Sequence, residues 1–357
     1  MKKFLSFLSA SLLSAPLLAQ DSVATPPRFT WSVFADVYYS YDFNQPQNHE
    51  KPFFMYNHKR HNEVALNLGL VQAAYQGEQI RGNLGLQVGN YADYNYAAEP
   101  GLLKHIYQAN VGVKISSKHA LWIDAGIMPS HIGYESAISK DNWAFTRSLM
   151  AENSPYFETG AKLSYTTPNG QWFLSGLVLN GWQRIQRIEG NNTPAFGTQI
   201  TYTPSAKALF NWSTYVGNEY PDSAKRWRFF NNFYTVLQPT DKWGITLAFD
   251  IGAEQKAPGN EGHSIWYTPN AVVRYTPNDR WAFAARAEYY RDADGVIMGT
   301  PDFKVWGASV NVDRKIGDHC WWRTEFRNLG SPNPLFLRKG TPVDNEPVAT
   351  TSLAISF

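Results

Sequence analysis

A single cysteine, Cys320, stands in the 357 residues, so no intramolecular disulfide can brace the fold. Long apolar runs are equally scarce. Beyond the stretch from Phe4 to Leu18, no segment approaches the roughly 18 uninterrupted apolar residues of a membrane-spanning helix, which excludes a bundle of such helices. Charge of one sign is missing too: 32 Lys and Arg against 30 Asp and Glu leave a formal net charge of +2. That balance offers no basic footprint for nucleic acid. There is no Gly-x-Ser-x-Gly elbow, and His49, His58, His61, His105, His119, His263 and His319 show no metal-ligand spacing, so neither a metal nor another cofactor is expected.

What the chain does have is a positive start, Met1-Lys2-Lys3, followed by an apolar run and small residues before Ala19 and Gln20. This reads as a secretory signal over residues 1–20, leaving residues 21–357 as one exported domain. No cysteine begins that domain, so a lipoprotein anchor there is not expected. Aromatic rings are abundant, with 13 Trp, 20 Tyr and 21 Phe, yet the mean hydropathy is -0.39. A chain rich in large rings but polar on average suits strands with one greasy and one wet face.

Such alternation is plain from Phe29 to Phe43. Phe29, Trp31, Val33, Ala35, Val37, Tyr39 and Tyr41 share one parity; Thr30, Ser32, Asp36, Ser40 and Asp42 share the other, with Phe34 and Tyr38 as exceptions. Successive strand residues point to opposite faces, so the two sets face opposite surroundings. The pattern returns in Val64-Leu66-Leu68-Leu70, Ile80-Leu84-Leu86-Val88, Val111-Val113-Ile115, Trp243-Ile245-Leu247-Phe249 and Trp281-Phe283-Ala285-Ala287. The opposite parity carries Glu63, Arg81, Lys114, Asp124, Glu158, Lys162, Asp250, Arg274, Arg286, Glu288, Arg323, Glu325 and Arg327. Closing those charges into a dry core would cost several kcal/mol for each unpaired group. Turning the apolar face to lipid and the charged face to a wet lumen removes the penalty.

Seven short turns, among them Thr167-Pro168-Asn169-Gly170 and Thr276-Pro277-Asn278-Asp279, alternate with eight longer polar stretches such as 44–60, 129–155 and 329–347. Short periplasmic turns and long outer loops are the layout of an outer-membrane barrel. The expected fold is all-β: a transmembrane antiparallel barrel of about sixteen strands, each of around ten residues. Tyr165, Trp172, Tyr202, Trp243, Tyr275 and Trp281 gather at the short turns, where amphipathic rings favour the membrane interface. The last strand ends in Phe357 and resembles the signal that barrel-assembly machinery reads. Expected surroundings are therefore the outer-membrane lipid of a Gram-negative bacterium; monomer and homotrimer both fit.

The segments Asp124 to Glu135, Thr146 to Leu149, Tyr156 to Gly160 and Val178 to Trp182 resemble the OmpL-like family of β-barrel porins. In layout the resemblance covers most of residues 21–357; in motifs it is concentrated between 121 and 182. It implies passive diffusion of small hydrophilic solutes or ions through a water-filled lumen, and it brings no catalytic residue.

The longest connection, 129–155, holds the candidate constriction groups His131, Glu135, Asp141, Arg147 and Glu152, and a short helix capped by Asp141 is expected within it. It has two readings, inward into the channel or packed over the rim. Arg81, Lys114, Arg286, Glu288, Arg323, Glu325 and Arg327 are the lumen-lining candidates. Mutual pairing is expected for most of these charges, with Arg286, Arg323 and Arg327 as a local basic stripe for anionic solutes. Ser130, His131 and Ser136 are the nearest approach to a nucleophile-base pair. His58 and His61, beside Lys59 and Arg60, read as a solvated loop. The rival function is a non-conducting barrel that serves as adhesin or scaffold through its long loops.

Overall fold

The computed structural model describes residues 28–259 and 261–357; the expected signal over 1–20 lies outside them. In chain order the strands are β1 (Arg28–Asp42), β2 (Val64–Gln76), β3 (Ile80–Val88), β4 (Ile106–Lys114), β5 (Ala120–Pro129), β6 (Phe157–Thr166), β7 (Trp172–Leu179) and β8 (Ala195–Ser205). They continue with β9 (Ala208–Asn218), β10 (Trp227–Leu237), β11 (Trp243–Gln255), β12 (His263–Asn278), β13 (Trp281–Asp292), β14 (Phe303–Ile316) and β15 (Cys320–Gly330). A small hairpin of β16 (Phe336–Arg338) and β17 (Thr341–Val343) precedes β18 (Asn345–Ser356). Among the described residues, sixteen strands follow one another antiparallel around a closed barrel, and β18 completes the ring by pairing with both β15 and β1. The strand number, the short turns and the long loops are those the sequence predicts.

Closure satisfies every edge strand inside the sheet, which lipid demands because it offers no hydrogen bonds. Trp31, Leu247, Val310 and Phe326 are exposed on the outer face, while Asp36, Asp250, Arg286 and Glu325 are buried on the inner one. Polar groups left on the outer face pair with each other, as when Trp212 Nε1 donates to Asn231 Oδ1 at 3.0 Å. At the short turns, Trp172 stacks on Tyr202 with ring centres 4.3 Å apart, and Trp243 lies 4.7 Å from Tyr275. These are the interface rings the sequence marks out.

One expected parity is wrong. In the β1–β2 ladder Val37 pairs with Leu66 but Asp36 pairs with Leu68, so Asn67 is an extra residue, a bulge. Beyond it the faces exchange: Leu68 and Leu70 are buried and Val71 is exposed, against the expectation that Val64, Leu66, Leu68 and Leu70 share a face. Asn67 itself is buried, and its Oδ1 accepts the His58 backbone N–H at 2.8 Å. The bulge thus ties the first long loop to the barrel wall.

Candidate pore lining and constriction

The loop between β5 and β6 (residues 130–156, called L3 below) folds inward, as one of its two expected readings has it. It leaves the wall at β5 and takes its main contacts from β13, β14 and β15, half-way round the ring. It therefore lies inside the ring, meeting β9, β10 and β12 on the way. At its deepest part, Arg323 donates to the carbonyls of Ser139 and Asn142, the latter at 2.9 Å, and Lys140 Nζ sits 5.5 Å from the Trp321 ring. Trp143 lies over Gly244 of β11, where a Cβ would stand 2.4 Å from its ring, so the wall needs glycine there.

From that depth the loop climbs the opposite wall along a ladder of charges. Arg286 Nη1 donates to Thr146 O at 2.5 Å, and Glu325 accepts the Thr146 backbone N–H at 2.6 Å. Arg327 Nη1 donates to Arg147 O at 3.0 Å; Glu288 accepts the Leu149 N–H at 2.6 Å. The same side chains pair among themselves: Arg286 with Glu325 at 2.8 Å, Arg327 with Glu288 at 2.7 Å and Arg323 with Asp313 at 2.8 Å. The stripe expected to attract anions is instead committed to holding L3, because its donors and acceptors are buried and engaged. Hydrogen bonds to charged groups are the stronger kind, which makes this a firm clamp.

The helix in L3 is shorter than expected and its cap is a different residue. Only α1 (Leu149–Glu152) forms, capped by Ser148, whose side chain accepts the Ala151 N–H at 3.1 Å. Glu135 in turn accepts the Ser148 N–H and hydroxyl, both at 2.9 Å. Asp141, the expected cap, lies in a single turn and pairs with Lys140 at 2.8 Å. Backbone groups at Asn142, Thr146 and Arg147 go to wall side chains, so they are not available for a helix. Arg147 is fully buried, its guanidinium 4.6 Å from the Tyr156 ring centre and 6.0 Å from that of Tyr91.

At the root of L3, His131 is held on both ring nitrogens: Nδ1 is 2.6 Å from Glu158 Oε1 and Nε2 is 2.8 Å from the Thr214 carbonyl. Ser130 donates to the same Glu158 oxygen at 3.0 Å, so Ser130 and His131 share a carboxylate instead of forming a nucleophile-base pair. Burial pushes the His131 pKa down, but the charge and hydrogen bond of Glu158 outweigh it and the net direction is up. An imidazolium donates at both nitrogens; a neutral ring cannot. A histidine whose folded pKa is raised contributes stability that is complete below its unfolded value of about 6.5 and is lost as pH rises through the folded value. Amide exchange at Ser130–Gly133 is expected to accelerate through that range. Protection unchanged into the alkaline range would show that the proton does not hold the root.

A second inward segment went unread in the sequence. The loop between β1 and β2 (residues 43–63, L1) brings Phe54, Met55, Asn57, His58, Lys59 and His61 into burial, which corrects the solvated reading of His58, Lys59 and His61. His58 Nε2 lies 3.0 Å from Asp36, and burial pushes its pKa down. Burial likewise pushes the Lys51 ammonium down to about 8. L1 meets L3 at Glu152, which accepts from Tyr56 N at 2.8 Å, Asn57 N at 3.2 Å and Asn57 Nδ2 at 2.9 Å. Phe54, Leu149, Phe230, Trp266, Tyr290 and Phe303 belong to one apolar cluster at the long-loop end. Glu63, expected in the lumen, pairs instead with Arg60 at 2.5 Å on the rim, just ahead of β2.

Toward the short turns the inner wall is wetter. Arg81 and Asp124 form a two-pronged pair beside Trp122, with Arg81 Nε 2.6 Å from Oδ1, and Lys114 is half-buried at the end of β4. The inner wall also carries neutral pairs that are not among the sequence's site candidates: Gln72 with Gln108 at 2.6 Å and Asn83 with Asn110 at 2.9 Å on β2–β4, and Asn211 with Thr201 at 2.7 Å on β8–β9. Their shared inner parity was the available signal.

The family model described as "Putative beta-barrel porin-2, OmpL-like" matches residues 28–357. No curated protein matches the sequence. Among solved structures, an anion-selective porin from Comamonas acidovorans is similar with a TM-score of 0.62 and 9% identity, over 93% of this chain and 100% of that one. The outer membrane channel DcaP of Acinetobacter baumannii gives 0.62 and 11%, over 95% and 100%. The trimer form of OmpT from Vibrio cholerae gives 0.62 and 7%, over 93% and 100%. At such identities the likeness is one of fold.

Proposed function

This chain belongs to the OmpL-like beta-barrel porin-2 family, and from that premise we propose that small hydrophilic solutes diffuse passively along a path shaped by L3 and L1. It is a porin of the Gram-negative outer membrane, a channel-type barrel. The observation that supports the solute path is the set of bonds from L3 to the β13–β15 wall, and His131, Glu135, Asp141, Arg147 and Glu152 are its proposed constriction groups. Arg147, Arg286, Arg323 and Arg327 stand against Glu135, Glu288, Glu325 and Asp313, so fixed charges largely cancel and weak ion selectivity follows. The amide and hydroxyl wall toward the short turns suits uncharged polar solutes.

A homotrimer is part of the proposal. Strands β2–β6 expose Val71, Leu84, Leu86, Val111, Val113 and Ile123 but no exposed Trp, Tyr or Phe, unlike β8–β15. Rings of that kind anchor a wall to the lipid interface, and a wall whose outward rings are only the half-buried Tyr75 and Tyr165 near the short turns suits burial against another copy. The β18 strand with Phe357 is the segment offered to the barrel-assembly machinery.

A second reading, a non-conducting barrel whose loops act as adhesin or scaffold, draws support from the apolar cluster that L1 and L3 form at the long-loop end. Single-channel recording of the refolded chain in planar bilayers separates the two. Ohmic steps arriving in threes, with ion preference moved in opposite senses by Glu135→Gln and Arg147→Gln, are the expected result. A folded, inserted barrel that never conducts would leave the scaffold reading standing.

A further inference from the structure

Outside the L3 clamp, the outer mouth holds a cavity of 340 Å³ between the β9–β10, β11–β12 and β13–β14 loops. Tyr220, Arg226, Glu254, Lys256, Ser264 and Asp294 line it. At about 30 Å³ per water molecule it has room for a solute of roughly ten non-hydrogen atoms. Its charges are not equivalent. Glu254 is already answered: Arg228 donates to it from Nε at 2.9 Å and Nη2 at 2.7 Å, and Tyr220 donates its hydroxyl at 2.8 Å. Arg226 lies over the Tyr220 ring, 4.9 Å from its centre, and its buried Nε reaches no acceptor among the described residues. Lys256 and Asp294 stand 3.6 Å apart, beyond hydrogen-bond length, and both are about half exposed.

We propose that this cavity captures small zwitterionic solutes, molecules of the amino-acid kind, with the carboxylate at Arg226 and the ammonium at Asp294. A simple anion would face Asp294, and a simple cation would face Arg226 and Lys256; a zwitterion satisfies both ends and replaces a loose surface pair. The buried Arg228 lies 5.4 Å from the ring centre of Trp182 and 5.7 Å from that of the buried Trp266, so the cation that answers Glu254 is itself packed against aromatic rings and is not free for a solute. The inference rests on the porin reading for its purpose, but binding can be read without conduction.

The test is saturation-transfer NMR on the refolded chain in detergent micelles, with L-alanine, propionate and ethylammonium as separate probes. Alanine is expected to bind most tightly. Arg226→Gln and Asp294→Asn should each weaken it roughly tenfold, as loss of one hydrogen bond to a charged group does. Propionate should respond to Arg226→Gln alone and ethylammonium to Asp294→Asn alone. Heat-modifiable gel migration verifies that each variant is a folded barrel. Alanine that shows no transfer, or transfer unchanged in both variants, overturns the site whether or not the barrel conducts. Alanine binding to a barrel that never conducts overturns the porin reading and leaves the site.

Discussion

Replacing Arg323 with Ala is expected to free the deep end of L3 from the wall while the barrel stays closed. Arg323 is fully buried and holds two L3 carbonyls, those of Ser139 and Asn142, in addition to both oxygens of Asp313. Truncation leaves the Asp313 carboxylate buried without this guanidinium, with Asn311 Nδ2 at 3.2 Å and the charge of Arg274 nearby. Removing one partner of a buried pair typically costs about 3–5 kcal/mol. L3 is the part able to yield, because the wall strands are held by ladders on both sides. Chymotrypsin should then cut at Trp143 or Phe145, which the docked loop protects, and current noise should rise. Arg323→Lys keeps the charge but not the planar fork, so intermediate protection is expected. Arg323→Met combined with Asp313→Leu removes the stranded carboxylate and should restore stability without restoring the clamp. An Arg323→Ala barrel with L3 as protected as before would mean the loop is held elsewhere.

The barrel was legible because its rule is local. Alternation of period two, turn chemistry at short intervals and interface rings each appear within a dozen residues, and lipid outside with water inside makes them agree. The misread parity at Leu68 and Leu70 has a local cause as well, but Asn67 carries no mark of a bulge. Which of two strands takes an extra residue depends on pairing, and pairing with β1 is not written in β2 alone.

The inward loops were less legible. L3 could be suspected from its length, yet its partners, Arg286, Arg323 and Arg327, lie well over a hundred residues away in sequence. The same arginines read as a free basic stripe because a sequence shows a charge and not what answers it. L1 follows the same rule: His58, Lys59 and His61 have the composition of a solvated loop, and their burial is made tolerable by Asp36 and Asn67 at His58, the Pro52 carbonyl at Lys59 and the Asp42 N–H at His61, while Glu152 answers Asn57 beside them. Polar residues enter a lumen when polar partners wait there.

That argument sets the second large effect. Glu152→Ala removes the acceptor for Tyr56 N, Asn57 N and Asn57 Nδ2 at once, leaving buried donors at roughly 1–3 kcal/mol each. L1 then has little reason to stay seated. It carries its own reporter, because Lys59 is buried when it is docked and becomes a trypsin site when it is not. The expected result is rapid cleavage after Lys59 in Glu152→Ala, slower cleavage in Glu152→Gln, which keeps one carbonyl acceptor, and none in the parent chain. Conductance should rise several-fold with cleavage, since L1 and L3 close the long-loop end together. Cleavage without any change in current would place the narrowest point in L3 alone; resistance at Lys59 would show that the apolar contacts of Phe54 with Phe303 and Phe336 seat L1 without Glu152.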